Sequence, residues 1–297
     1  MPRRAAPSFR GKGSFMDYRK QFIVTPGEAV DLARIDTGFT GQHKKKADAA
    51  DEMDHDIEKL IDLQYLLYAG NARSLLIVLQ GLDAAGKDGT IKHVFSGVDP
   101  QGARVHAFKE PTPEELAHDF LWRVHKQTPA RGEMVIFNRS HYEDVLVVRV
   151  HDLVPKEVWE TRYELINDFE RNLVDANTTI LKFYLHMSAT EQLERFKDRL
   201  DDPQRQWKIS EADYTERAYF KEYGKAYQEM LERTSTQHAP WFIIPADHKW
   251  FRNLAVSKIV VEALESLRLG LPPTTVDLDD IRRKYLAAKD NGHQGRH

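Results

Sequence analysis

The stretch from Gly81 to Lys87 has the residue types and the spacing that can bind phosphate groups. Gly81 and Gly86 enclose four residues, and Lys87 follows directly. Glycine lets backbone N–H groups approach an anion, the start of a following helix presents the positive end of its dipole, and the lysine adds a full charge. The pattern therefore predicts a phosphate-binding loop.

The residues on either side of this loop predict the elements that would hold it. Leu75 to Leu79 form a short run of branched apolar residues, which is typical of a strand buried on both faces. The chain from Asp88 onward can form a helix, and strand, glycine loop and helix are the layout of a phosphate-binding loop. The alternative is an ordinary glycine turn with Asp88 as the N-cap of a helix.

Two carboxylates distinguish this loop from the usual pattern. Asp88 occupies the position where Ser or Thr normally helps to hold magnesium, and Asp83 lies inside the loop. Negative charge beside phosphate groups is unfavourable unless a metal ion bridges them. The sequence therefore predicts that Asp83 and Asp88 are directed at magnesium, or that one of them is the base for an attacking oxygen.

Two further predicted strands end in residues suited to phosphate chemistry. Lys109 follows a strand at 104–108, and Asn138 and Arg139 follow the apolar run 133–137. The carboxyl ends of parallel strands line the ligand crevice, so Lys109 is predicted either to face the phosphates or to be a solvated lysine. Arg139 can hold a phosphate with two parallel hydrogen bonds.

The charge at the end of the second of these strands is unusual. In nucleotide kinases and hydrolases this strand usually ends in Asp, which holds magnesium, whereas here it ends in Asn138. Glu143 and Asp144 follow at the opening of the next helix and are candidates to replace the missing charge. Ser140 and His141 are adjacent in sequence and lie outside any nucleophile-elbow motif, so we do not expect a catalytic serine.

A run of positive charge between residues 195 and 208 resembles the lid of a nucleotide kinase. Five cations lie within these fourteen residues, around a break at Pro203. A lid at about 195–210 would exclude water and deliver arginines to the transferring phosphate. The alternative is a solvated, charged helix end. The cations are Arg195, Lys197, Arg199, Arg205 and Lys208.

The rest of the chain predicts one large domain preceded by a basic arm. Residues 1–46 contain ten Lys or Arg against four Asp or Glu, which predicts a solvated, poorly packed arm or, alternatively, a part of an anion channel or subunit contact. Residues 47–297 are predicted to form a single α/β domain. Its predicted helices are 47–69, 88–96, 113–127, 155–175, 190–200, 210–234 and 249–268, with strands at 74–79, 104–108, 133–137, 179–187 and 241–244.

Composition limits the classes of protein to which the chain can belong. The 297 residues are 41% hydrophobic, which suffices for a large core, and they contain no cysteine, so disulfides and thiolate chemistry are excluded. The formal net charge of −3 gives no general attraction to nucleic acid. Neither a signal peptide nor a membrane span is recognisable, and we expect a cytoplasmic protein without membrane or nucleic-acid partners.

Four motifs together resemble the polyphosphate kinase 2 family. They are GLDAAGKDG at 81–89, FKEPT at 108–112, FNRSHYEDV at 137–145 and RLDDPQRQWKIS at 199–210. The resemblance implies a three-layer α/β/α P-loop kinase fold with a parallel sheet and a helical lid. It implies reversible, Mg²⁺-dependent phosphoryl transfer, with Mn²⁺ as a possible substitute, between inorganic polyphosphate and adenine or guanine nucleotides. It also implies a homo-oligomer, a dimer or tetramer.

The resemblance also implies roles for particular residues. The catalytic group would be Asp83, Lys87, Asp88 and Arg139, and the metal would be held by Asp83, Asp88 and Glu143. Asn138 and Glu143 would contact the nucleotide. Phosphate or polyphosphate would be bound by Gly81, Ala84, Ala85, Gly86, Lys87, Gly89, Thr90, Lys109, Arg139, Arg199, Arg205 and Lys208.

One departure from the family pattern bears on the acceptor. Many members have Asp where this chain has Asn138, and Trp-Tyr-Asn where it has His141, Tyr142 and Glu143. The version with Asn and Glu resembles the subgroup that phosphorylates both nucleoside mono- and diphosphates, AMP to ADP and ADP to ATP. Two other functions stay open, an ATP-dependent nucleoside monophosphate or small-molecule kinase and a non-enzymatic polyanion-binding module. The two acidic residues in the loop argue against the second.

Overall fold

The strand that precedes the glycine loop lies at the centre of a five-stranded sheet. The computed structural model describes residues 16–294, and in that part of the chain the strands run parallel in the order β2-β3-β1-β4-β5. This confirms the predicted α/β fold with a parallel sheet. The strands are β1 (Ser74–Gln80), β2 (Ala103–Ala107), β3 (Met134–Asn138), β4 (Thr178–His186) and β5 (Trp241–Pro245).

Helices cover both faces of the sheet, which gives the three layers. Side chains of β1 alternate between two apolar clusters, Leu75 and Ile77 toward one and Leu76 and Val78 toward the other. Each fully buried side chain of this kind contributes about 1.5–3 kcal/mol. The helices are α1 (Tyr18–Phe22), α2 (Ala50–Gly70), α3 (Lys87–Val94), α4 (Pro113–Leu116), α5 (Trp122–His125), α6 (Val147–Val150), α7 (Lys156–Asp175), α8 (Ala189–Asp201), α9 (Glu211–Arg217), α10 (Phe220–Thr234), α11 (Lys249–Ser266) and α12 (Leu278–Gln294), with 3₁₀ turns at Leu32–Arg34, Lys46–Ala49, His141–Val145 and Gln206–Lys208.

Two predicted helices are interrupted in the structure. The helix predicted at 113–127 is wrong as one element, because α4 and α5 are separate turns. Between them the Asp119 carboxylate accepts a hydrogen bond from the Leu121 N–H, and such side-chain bonds favour a turn over a continuous helix. The helix predicted at 210–234 is likewise divided, into α9 and α10, at Ala218 and Tyr219.

The described part of the N-terminal segment packs onto the sheet, which differs from the solvated arm that its composition favours. Tyr18 and Phe22 are buried against Phe251 of α11. The Val24 N–H donates to the Trp241 carbonyl (2.8 Å), so this segment also bonds to β5. Residues 1–15, which carry four of the ten cations, lie outside the described residues. The domain boundary at residue 46 stays a prediction.

The long helices are amphipathic or buried on a protein core. Among residues 16–294, no helix combines the length and the apolar content that crossing a bilayer requires.

Candidate active site

The glycine loop joins β1 to α3 and curls around the ammonium group of Lys87. Gly86 has a φ of 105°, a left-handed conformation that glycine adopts without strain. Lys87 is 8% exposed, and its Nζ donates to the carbonyl oxygens of Gly81 (2.6 Å) and Leu82 (3.3 Å). Burial and the charge of Arg139 lower the pKa of Lys87 to about 8. The loop therefore encloses a positive charge, and burial makes that charge unfavourable unless an anion neutralises it.

Three side chains from distant elements fix the other carbonyl groups of the loop. Gln192 donates to the Asp83 carbonyl (3.0 Å), and Arg195 donates to that of Ala84 (2.8 Å). Arg195 and Arg252 share the Ala85 carbonyl, at 3.0 and 3.1 Å. A trans peptide directs its N–H opposite to its C=O, so the N–H groups of Ala84 and Gly86 point away from these side chains. Such oriented N–H groups form an anion-binding concavity.

The sequence analysis did not identify Gln192 and Arg252 as residues of the site, and it assigned Arg195 to the lid rather than to the loop. Arg195 was predicted in the lid, but its guanidinium is buried under the loop and paired with Glu191 (2.7 Å). The i, i+4 spacing of Glu191 and Arg195 was a signal that this arginine belongs to the helix rather than to a mobile loop. Gln192 and Arg252 are 105 and 165 residues from Lys87 in the sequence, and no local pattern marks them.

Asp83 and Arg139 form an ion pair at the entrance of the loop. The Arg139 Nη2 donates to the Asp83 Oδ1 at 2.7 Å, and Arg139 has a φ of 62°, which directs its side chain from the end of β3 back to the loop. Burial alone raises the pKa of Asp83, but the charges of Lys87 and Arg139 outweigh it and hold that pKa below its usual value. Asp83 is therefore ionised at neutral pH.

Asp88 connects the loop to the second strand and to the lid. Its Oδ1 accepts a hydrogen bond from the Asn138 amide (2.7 Å), and its Oδ2 lies 3.7 Å from the Lys208 Nζ. Asn138 thus contacts the carboxylate at the position that differs from the usual P-loop sequence. Lys208 belongs to the 3₁₀ turn in the predicted lid, so one carboxylate contacts both elements.

The remaining lid cations are held by local ion pairs. Arg199 pairs with Asp213 (3.3 Å) and Arg205 with Asp202 (2.9 Å). Both arginines line the central cavity, together with Lys208. The structure thus brings Arg199, Arg205 and Lys208 to the site, whereas Lys197 pairs with Asp201 (2.7 Å) and does not line the cavity.

A cavity of about 1060 Å³ surrounds the loop. Ten Lys or Arg and five Asp or Glu line it, although the whole chain is net negative. The predicted residues that line it are Asp83, Ala84, Gly86, Lys87, Asp88, Gly89, Lys109, Asn138, Arg139, Arg199, Arg205 and Lys208.

Four predicted residues do not line this cavity. Gly81 and Ala85 are buried residues of the loop. The Thr90 side chain is fully buried in α3, and its hydroxyl has no hydrogen-bond partner in the described chain. Glu143 is part-buried near the charges of Arg139 and Lys87; burial raises its pKa, and these two charges oppose that rise. Its predicted contacts with a metal ion and a nucleotide stay predictions.

The carboxylates at the site suit a magnesium ion that also binds phosphate. Within residues 16–294, no three His, Asp or Glu side chains are close enough to form a metal site on their own. Mg²⁺ usually takes one or two carboxylates and completes its octahedron with water and substrate phosphates. Asp83 and Asp88 offer two such carboxylates on the cavity wall, so the residues present fit this mode of binding.

The parallel sheet, the glycine loop ending in a lysine and the basic lid define a P-loop kinase fold. The chain belongs to the polyphosphate kinase 2 family, because the model of that family, described as Polyphosphate kinase 2 (PPK2), matches residues 42–269. This confirms the resemblance that the four motifs indicate.

Curated relatives and solved structures agree with this assignment. The AMP/ADP-polyphosphate phosphotransferase of Meiothermus ruber is 49% identical over 85% of this chain and 95% of its own length. The ADP-polyphosphate phosphotransferase of Rhodopseudomonas palustris is 44% identical over 90% of this chain and 95% of its own length. The crystal structure of a polyphosphate kinase 2 from Arthrobacter aurescens TC1 superposes with a TM-score of 0.88 at 42% identity, covering 92% of this chain and 97% of that one.

Proposed function

We propose that this protein transfers phosphoryl groups from inorganic polyphosphate to nucleoside mono- and diphosphates. The observation that carries the proposal is the charge of the cavity, where ten cations and five acids surround an anion-binding loop in a chain of net charge −3. A polyanionic donor gains more from such a cavity than a small neutral substrate would. The names of both curated relatives, which are polyphosphate phosphotransferases, support this donor.

The catalytic task is positioning and charge neutralisation, because phosphoryl transfer needs little covalent participation by the protein. Lys87, inside the loop, and Arg139, paired with Asp83 at its entrance, would balance charge on the oxygens of the transferring group. Asp83, kept ionised by these two cations, orients Arg139. A magnesium ion held by Asp83 and Asp88 would supply further neutralisation of phosphate charge.

The lid would close the site over the phosphates. Arg199, Arg205 and Lys208 line the cavity, and each is paired to a carboxylate that a phosphate could replace as the partner. Exchange of these partners would draw the lid toward the substrate and exclude water, which otherwise competes as the acceptor.

The acceptor range rests on Asn138. Its amide contacts Asp88 at the position where the family pattern that the sequence resembles often has a second carboxylate, so an acceptor bound there would meet one negative charge fewer. The sequence also resembles the subgroup with both acceptors. We therefore propose that AMP and ADP are both substrates. The homo-oligomer and the cytoplasmic location stay predictions.

Purified protein, Mg²⁺, long-chain polyphosphate and AMP, followed by nucleotide chromatography, test the proposal. We expect ADP first and ATP afterwards. If ATP forms from ADP but AMP does not react, polyphosphate stays the proposed donor and the proposal that AMP and ADP are both acceptors is refuted. Activity with ATP as the donor but none with polyphosphate would refute the proposal and favour an ATP-dependent kinase. Salt-sensitive polyanion binding without transfer would favour the binding module.

A further inference from the structure

Arg252, in the first turn of α11, packs directly against the glycine loop. It is 2% exposed, and its Nη1 donates to the Ala85 carbonyl at 3.1 Å. A Cβ added to Gly86 would stand 1.8 Å from this Nη1, and one added to Gly89 would stand 3.1 Å from Nη2. Glycine at both positions therefore leaves the space that the guanidinium occupies at the wall of the cavity.

The charge of Arg252 has no acidic partner. No carboxylate of the described residues lies within ion-pair distance of its guanidinium, and its side-chain acceptor is the neutral Asn253 Oδ1, at 2.9 and 3.2 Å. Burial and the nearby charge of Arg195 lower the pKa of Arg252 to about 9. The buried Lys182, in contrast, is paired with Glu170 at 2.6 Å. A buried cation without a counter-charge lowers the stability of the folded protein, so Arg252 is unfavourable in the absence of a bound anion.

The position of Arg252 in the sheet order indicates which ligand would supply that counter-charge. β1 and its loop are central, with the ends of β3 and β2 on one side and the β5 to α11 connection on the other. Asn138 and Lys109 line the cavity from the first side, and Lys249 and Arg252 line it from the second. In-line transfer places the donor and acceptor on opposite sides of the transferring phosphorus. The second side is thus available to the donor.

We propose that Arg252 contributes to phosphate binding through its charge: its guanidinium lies on the carbonyl side of the loop, and its counter-ion is the inorganic phosphate chain held on the opposite, N–H side. This rests on the proposed function and deepens it, since it assigns the α11 side of the cavity to the donor. The charge that is uncompensated within the protein is then neutralised by phosphate. The uncompensated charge destabilises the ligand-free protein, and its neutralisation on binding increases the affinity for the donor.

Calorimetric titration with tripolyphosphate, in parallel with AMP, tests the assignment. We compare the wild type with Arg252→Gln, Arg252→Lys and the control Lys59→Gln, which removes a half-exposed cation from α2 that lies outside the cavity. A unit charge about 6–12 Å from a phosphate charge, at an effective dielectric constant of about 20, corresponds to about a 10–100-fold change in affinity. We expect Arg252→Gln to weaken tripolyphosphate binding by about that factor, Arg252→Lys to recover much of it because it restores the charge, and AMP binding to change less than about 2-fold.

Each other outcome overturns the inference in a recognisable way. An equal loss of tripolyphosphate affinity in Arg252→Gln and Arg252→Lys would mean that Arg252 only shapes the loop. A loss of affinity for AMP alone would mean that Arg252 binds the acceptor. An equal loss of tripolyphosphate affinity in Lys59→Gln would show that the effect comes from the net charge of the protein rather than from Arg252. Should circular dichroism show Arg252→Gln to be unfolded, Arg252→Lys decides, since binding below about a tenth of wild type would refute a charge role. Failure of the wild type to bind tripolyphosphate would instead refute the proposed function.

Discussion

Replacement of Lys87 by Met should lower kcat by at least about 100-fold while changing the stability of the fold little. Lys87 makes two hydrogen bonds to loop carbonyls, and a bond from a charged donor is worth about 1.5–3 kcal/mol. Against this, a pKa lowered from 10.5 to about 8 means that the folded environment disfavours the charged form by about 3 kcal/mol. Two such bonds contribute about 3–6 kcal/mol, and the lower half of that range applies because the 3.3 Å bond is long, so the free energy of unfolding should change by less than about 1–2 kcal/mol.

The effect on catalysis should be much larger than the effect on stability. Removal of one preorganised charge from a site of developing negative charge typically lowers kcat by about 10²–10³-fold. Initial rates of ATP formation from polyphosphate and ADP, with urea unfolding of the same samples, measure both effects. Met is preferred to Ala because it keeps most of the buried volume.

Lys182 provides a matched control because it is also a buried lysine. Its Nζ donates to Glu170 (2.6 Å), to the Tyr142 hydroxyl (2.8 Å) and to the Thr234 carbonyl (2.7 Å). Lys182→Met leaves the buried Glu170 without this partner, which should cost about 3–5 kcal/mol of stability. The reasoning is refuted if Lys87→Met retains more than about a tenth of kcat, or if it loses as much stability as Lys182→Met.

Three further predictions concern the same loop. In urea unfolding without ligand, the free energy of unfolding of the wild type should rise by about 1 kcal/mol between pH 7 and 9 relative to that of Lys87→Met. The reason is that above pH 8 Lys87 has released its proton in the folded protein, whereas the unfolded chain keeps that proton up to the ordinary pKa of 10.5. An equal pH response in both proteins would contradict the lowered pKa. Gly86→Ala should lower kcat by at least about 100-fold and abolish tripolyphosphate binding in calorimetry, because the φ of 105° strains alanine by about 1–3 kcal/mol and its Cβ would meet Arg252 at 1.8 Å. Near-normal binding would show that the loop adjusts. Asn138→Asp places a second carboxylate beside Asp88 and should change the ratio of kcat/KM for AMP to that for ADP by at least about 10-fold; an unchanged ratio would remove Asn138 from acceptor choice.

The sequence was informative where local chemistry decides the structure. A glycine loop between an apolar run and a helix can bind phosphate because of its own backbone, so Gly81, Gly86 and Lys87 were recognisable without a fold. The placement of Lys109 and Arg139 just after the carboxyl ends of β2 and β3 followed from the geometry of parallel sheets. These predictions depend on a few neighbouring residues and on general rules.

The remaining features depend on contacts between distant parts of the chain. Arg195 and Arg252 reach the loop from helices that follow β4 and β5, and each looks like an ordinary cation on an amphipathic or apolar helix. Glu143 lies in the 3₁₀ turn at His141–Val145 and does not line the cavity, and its contact with a ligand stays a prediction. Tertiary packing determines which side of such a turn faces the cavity, and the local sequence does not encode it.

Transfer of label from radiolabelled polyphosphate to ADP is the most direct test of the account. With Mg²⁺ and no other donor, the account predicts that label appears in the terminal phosphate of ATP, at a rate that falls at least about 100-fold in Lys87→Met. ATP that forms without label would show that polyphosphate is not the donor. Equal labelling by both proteins would show that the reaction does not depend on the loop.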